Sequence, residues 1–131
     1  MNKTKQVIVM RKDLNMRKGK MVAQGAHASL GAILKYQKML IDPAQMFKAI
    51  ELSWAINDWL NNSFTKICVY VEDEDELMAV YERAKQFGVL TVLIEDNGQT
   101  EFKGVKTATC VAVGPGYIED IDNITKGLPL L

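Results

Sequence analysis

A chain with one histidine and two cysteines among 131 residues has little from which to build a metal or thiol centre. Cys68 and Cys110 each sit inside a strand-like apolar run without CxxC spacing, so both are expected as buried, reduced thiols rather than as a disulfide or ligand pair. No apolar run approaches the roughly 18–20 residues that a membrane span needs. The opening stretch MNKTKQVIVMRKD lacks the apolar core of a signal peptide, so a cytoplasmic protein with no membrane partner is expected. Net charge is missing as well. Sixteen basic residues balance 16 acidic ones, which argues against nucleic-acid binding by bulk electrostatics. A GxGxxG fingerprint, a GxSxG elbow and metal-ligand spacings are also absent, so neither a cofactor nor a metal is expected.

What remains is an ordinary globular composition, 48% hydrophobic and 24% charged, of a size for one domain with a sizeable core. The charge is unevenly placed. Lys3, Lys5, Arg11, Lys12, Arg17, Lys18 and Lys20 crowd the first twenty positions against the single acid Asp13, whereas Glu72 to Glu76 is unbroken acid. A basic patch on a neutral body suits a partner touched at a few phosphates.

The most informative stretch is Met16 to Ala32, MRKGKMVAQGAHASLGA. A helix beginning near Gly19 puts Lys20, Gln24, His27 and Gly31 on one stripe, with Val22, Ala26, Leu30 and Ile33 on a neighbouring apolar face expected to pack. Glycines inside that helix each cost roughly 0.8–1 kcal/mol relative to alanine. Close packing on a sheet or close approach of a substrate would offset the loss. Arg17, Lys18 and Lys20 crowd the positive end of the helix dipole, a conflict that a bound anion would relieve.

Around that helix, QVIVM predicts a buried strand at about 5–11, and the helix itself should run to Leu40. Asp42-Pro43-Ala44-Gln45 predicts a helix restart, with Asp42 as N-cap, Pro43 in the first position and Gln45 completing a capping box. Phe47, Ile50 and Trp54 recur at helical spacing and are expected in the core, as is Trp59. Thr65 to Val71 predicts a strand, Asp73 to Phe87 a helix started by the acidic run and ended at Gly88, and Leu90 to Ile94 a further strand. Asp96 to Thr100 reads as a turn, and Thr107 to Val113 as a strand stopped by Gly114-Pro115-Gly116. A short helix over Ile118 to Ile124 completes the chain. The alternation implies an α/β sheet covered on both faces, with parallel crossovers through the third strand and an antiparallel last one. Ligands in such sheets bind beyond the carboxyl ends of parallel strands, which brings Asp13 to Lys20 near Asp96 to Thr100.

With these pieces together, the chain resembles the archaeal and eukaryotic type 2 peptidyl-tRNA hydrolases over nearly its whole length. MRKDLNMRKGKMVAQGAHASLGA is similar to that family's first strand, Asp-Leu turn and GKGK-x-AAQ-x-x-HA-LGA helix; LIEDNGQT resembles its xxRDAGxT turn, and CVAVGP its LAIGP strand end. The resemblance implies cleavage, without a metal, of the ester between a peptide and the 3′ ribose of tRNA. The fold it implies is a three-layer α/β/α sandwich around a mixed, mostly parallel sheet of about four strands. The family is often dimeric, which leaves a homodimer open. The resemblance also implies that Lys18, Lys20, Gln24, His27, Asp96 and Thr100 belong to the site. Gly25, Asn97 and Gln99 depart from the pattern, and the segment between the first helix and Trp59 is longer than expected.

Ester hydrolysis needs an activated water, donors for the oxyanion and groups that hold the substrate in line. Imidazole is the side chain whose ordinary pKa lies near neutrality, so His27 can move a proton or orient Asp96, and Asp96 is the competing general base. Lys20 can stabilise the oxyanion, and Gln24 and Thr100 can position water or the peptide carbonyl. Lys18 with Arg17 can hold tRNA phosphates. Two alternatives stay open: a non-catalytic module that binds RNA ends or a protein on the same scaffold, and hydrolysis of some other RNA-linked or small ester.

Overall fold

The computed structural model describes residues 3–98 and 102–131. Strand β1 (Thr4–Arg11) leads into helix α1 (Lys18–Leu40), then α2 (Met46–Asp58) and a π-helical turn over Trp59–Ser63. Strand β2 (Lys66–Val71), helix α3 (Glu74–Gln86), strands β3 (Thr91–Asp96) and β4 (Thr107–Tyr117), and helix α4 (Ile118–Thr125) follow. The sheet order is β2-β1-β4-β3. β1 and β2 pair in parallel, while β4 is antiparallel to both β1 and β3, so three strands share one direction and β4 alone opposes them.

The two central strands carry near-continuous apolar runs because both of their faces are covered. Val7 and Val9 of β1, with Val111 and Val113 of β4, face Leu77, Val80 and Ala84 of α3 and Ile121 and Ile124 of α4. Ile8, Met10, Cys110 and Ala112, one residue out of phase, face Ala28, Ala32 and Tyr36 of α1 and Ile56 of α2. These are the three layers expected of an α/β/α fold.

The acidic run starts α3 as its sequence suggests. Asp73 is the N-cap and accepts a hydrogen bond from Glu76 N–H at 2.8 Å, and the Glu76 carboxylate accepts one from Glu72 N–H at 2.6 Å. The N-terminus of α1 has neither device. Arg17, its N-cap, makes no side-chain cap, and the first turn holds no acid.

Several expectations are corrected. Helix α2 begins at Met46, because Asp42 accepts from Ala44 N–H and from the backbone of Gln45 and Met46, forming a turn instead of a capped helix start. Strand β4 does not stop at Gly114 but continues to Tyr117, held by pairing of Gly116 and Tyr117 with Lys5 and Thr4. Val22 and Leu30 are 72% and 60% exposed, since α1 sets Ala28 and Ala32 on the sheet. Phe47, Ile50 and Trp54 form an exposed ridge on α2, because that helix buries Ala49, Ala55 and Ile56. Trp59 is buried, and its indole N–H donates to the Thr65 carbonyl at 2.8 Å. Cys110 is buried, which pushes its thiol up to about 12, but Cys68 is exposed because no helix covers edge strand β2 on the α1 side.

Candidate active site

Helix α1 returns over the sheet and lies along β3, which fixes the candidate site. Lys20, in its first turn, donates from Nζ to Asp96 Oδ1 at 2.6 Å, across 76 positions of sequence. Three turns further on, Gly31 lies over Val92 and Ile94; beyond it, Lys35 donates to the Thr91 carbonyl at 2.6 Å. Small residues let the helix settle close to the sheet. A side-chain carbon at Gly25 or Gly31 would still meet its neighbours only at ordinary contact distances of 3.6 Å or more, so close packing does not demand glycine at either position.

Both members of the Lys20–Asp96 pair are nearly enclosed, with side chains 12% and 11% exposed. Asp96 ends β3, and its other oxygen accepts from Gly98 N–H at 2.8 Å within the following turn. The hydrogen bond from Lys20 holds the Asp96 carboxyl below the usual carboxylate range. The Gly98 N–H and the charges of Lys20 and His27 reinforce this against the opposing effect of burial. The Phe102 ring closes one side of the pair, its centroid 5.8 Å from Lys20 Nζ.

One turn along α1, Gln24 is 2% exposed and its oxygen accepts from Thr109 Oγ1 at 2.6 Å. Its main-chain carbonyl accepts from Cys110 Sγ at 3.3 Å. Thr109 therefore orients the carboxamide and leaves its NH2 as the donor. His27 follows on the same stripe with its side chain exposed, close enough for its charge to favour ionised Asp96. One wall thus carries an ammonium, a carboxylate, an amide and an imidazole. Water activation and oxyanion stabilisation need groups of these types.

Not every expected residue joins that wall. Arg17 is exposed at the N-cap of α1. Lys18 points to the other side of the helix, where it lines an apolar trough of about 880 Å³ between α1 and β2, floored by Ile8, Met10 and Cys68 and ended by Trp59 and Phe64. The trough and the Lys20–Asp96 pair are on opposite faces of α1, so this trough is not the candidate reaction cleft. Thr100, expected in the site, and Gln99 lie outside the described residues. Among the described residues, no group of three His, Cys, Asp or Glu side chains could hold a metal ion. The serine two positions past His27 is engaged elsewhere: Ser29 donates to buried Gln6 at 2.6 Å.

Thr109, Phe102 and Arg11 were not expected from the sequence. Thr109 sits in TATCVAV, where a β-branched residue reads as strand former first. Arg11, 9% exposed, donates twice to Asp13 (3.1 and 2.8 Å) and once to the Ala108 carbonyl (3.0 Å), which fixes the turn ahead of α1. The acid Asp13, two residues after Arg11 in an otherwise basic stretch, was the available signal.

Comparison with known proteins points one way. The family described as peptidyl-tRNA hydrolase PTH2 matches residues 4–131. A peptidyl-tRNA hydrolase of Methanopyrus kandleri is 39% identical over 127 residues, covering 97% of this chain and 97% of its own. That of Methanocaldococcus jannaschii is 39% identical over 127 residues, with 97% and 99% covered. A probable peptidyl-tRNA hydrolase 2 of Dictyostelium discoideum is 39% identical over 126 residues, 96% of this chain and 54% of the longer relative.

Proposed function

The chain belongs to the type 2 peptidyl-tRNA hydrolase family, and on that premise we propose that it hydrolyses the ester joining a peptide or N-substituted aminoacyl group to the 3′ ribose of tRNA. The observation that carries the reading is the 2.6 Å contact between Lys20 and Asp96 on one wall with Gln24 and His27. In the proposed reaction Lys20 turns its ammonium to the ester carbonyl oxygen. Asp96 loses the main cause of its low pKa and becomes a stronger base. It takes a proton from a water that attacks the carbonyl carbon, and Lys20 stabilises the resulting oxyanion. Collapse breaks the bond to the ribose oxygen, which takes the proton from Asp96, and free tRNA leaves with the peptide acid. Gln24, oriented by Thr109, and Thr100 hold the water or the peptide carbonyl, and His27 orients Asp96 and relays protons to solvent.

The same reading places tRNA phosphates on Arg17 and Lys18, whose exposed cations stand at an uncapped helix N-terminus. It treats residues 1–131 as one hydrolase domain. It routes the chemistry through side chains alone. No helix of the described residues is long and apolar enough to cross a membrane, and a substrate made in translation places the work in the cytoplasm. A second copy of the chain is the proposed partner for the exposed apolar surface of Val22 and Leu30.

Turnover of N-acetyl-aminoacyl-tRNA in the presence of EDTA, run beside filter binding of charged and uncharged tRNA, tests the proposal. Release of the acyl group that EDTA does not slow is expected. Binding without release would make the chain a non-catalytic module, and loss of release on chelation would overturn the metal-free route.

A further inference from the structure

The stripe that begins at Lys20 does not end at His27. Fifteen residues further along the same face of α1, about 22 Å away, Lys35 reaches the start of β3 and donates to the Thr91 carbonyl at 2.6 Å. Lys38, exposed, follows one turn later. Two more lysines meet them from other elements at the turn between α3 and β3. Lys48 of α2 lies over Gly88, its Nζ 2.7 Å from the point where a side chain there would begin. Lys85 of α3 leads into the same turn, its carbonyl accepting from Gly88 N–H.

The acids nearby do not cancel this charge. Lys48 pairs with Glu51 at 3.5 Å and Lys85 with Glu82 at 3.1 Å, both on exposed side chains, whereas Lys35 has no acidic partner among the described residues. Four cations against two carboxylates leave a local surplus on a chain with no net charge. Burial and the charge of Lys85 both push the Lys35 ammonium below its ordinary pKa, the condition a bound anion would relieve. The 22 Å between this cluster and Lys20 is too long for the reacting ester and suits the strand that carries it.

We propose that Lys35, Lys38, Lys48 and Lys85 form a second phosphate-binding station, which holds the RNA backbone of the substrate while its 3′ end lies at Lys20 and Asp96. The separation between the two stations sets how much of the acceptor arm the protein grips. This station rests on the peptidyl-tRNA reading above, and phosphate contacts of this kind position the nucleic acid without reading its sequence.

The test is tRNA affinity as a function of salt for the full chain and for the variant Lys38→Ala/Lys48→Ala/Lys85→Ala. Each phosphate contact adds about 0.7–0.9 to the slope of log affinity against log salt. The triple variant should therefore bind at least tenfold more weakly near 0.1 M salt, with a slope shallower by about 2. The converse variant Glu51→Gln/Glu82→Gln should bind more tightly, which keeps the test open if the triple variant unfolds. Lys126→Ala, at the end of α4, is the control for loss of a lysine elsewhere. Unchanged affinity and slope in both cluster variants would overturn the station even where the wild type turns over peptidyl-tRNA, and so would a cluster that takes inorganic phosphate without affecting tRNA. Failure of the wild type to release peptide from tRNA would instead strike the reading of the active site.

Discussion

Replacing Lys20 and Asp96 singly and together probes the pair on which the proposed chemistry turns. Their 2.6 Å contact joins two groups that are nearly enclosed, and the hydrogen bond from Lys20 holds the Asp96 carboxyl low. Lys20→Met removes the oxyanion donor, a loss of about 10²–10³ in kcat, and Asp96→Asn removes the base, a loss of about 10²–10⁴. Groups that act as a unit are not additive, so the double variant should be no worse than the weaker single one to within about tenfold, whereas independent contributions would multiply. Stability carries a second signature. Asp96→Asn removes the carboxylate from the nearly enclosed hydrogen bond with Lys20, at a cost of about 2 kcal/mol for a charge-assisted hydrogen bond, and Lys20→Met added to it should restore part of that. Urea unfolding and single-turnover cleavage of N-acetyl-aminoacyl-tRNA measure the two cycles. Kinetic losses that multiply, with no recovery of stability in the double variant, would refute the coupling.

Other consequences are more local. Gly25→Ala should stabilise by about 0.8–1 kcal/mol and raise Tm by about 3 °C, because the new carbon meets Ile8 Cδ1 at 3.9 Å and Met10 Cε at 4.0 Å; calorimetry reads it, and a lower Tm would show that the helix cannot accept a methyl there. Thr109→Val should slow turnover roughly 10–100-fold by releasing Gln24, and Thr109→Ser should restore it; equal rates in both would mean that the hydroxyl does not act through Gln24. Asp13 and Asp96 are both held below the ordinary carboxylate range by a cationic partner, so the stability they contribute is present above about pH 4 and lost as pH falls through their folded values. Unfolding free energy measured against pH should therefore fall less steeply below pH 4 in Asp13→Asn and Asp96→Asn than in the wild type.

Layer order and most element positions could be read from the sequence because periodicity and helix starts are local. The apolar, β-branched runs QVIVM and TATCVAV do place two central strands, and the acidic run does start α3. Helical spacing alone could not tell which apolar stripe packs. Phe47, Ile50 and Trp54 repeat as a core stripe would, yet α2 turns its alanines inward, and Val22 and Leu30 on α1 are likewise left exposed. Gly114-Pro115-Gly116 looks like a stop, but its pairing partner is β1 at the far end of the chain, which no local rule detects. Lys20 and Asp96 were brought together by the rule that loops after co-directed strands converge. The hydroxyl of Thr109 was missed because a threonine in a strand looks the same whether its partner is water or Gln24.

A crystal structure of the protein with an acylated CCA fragment, its ester replaced by a stable amide, tests the central claim most directly. The account predicts the carbonyl oxygen at about 3 Å from Lys20 Nζ, beside Asp96 on the β3 side of α1. An acyl group seated in the trough between α1 and β2, with Lys20 and Asp96 untouched, would contradict it.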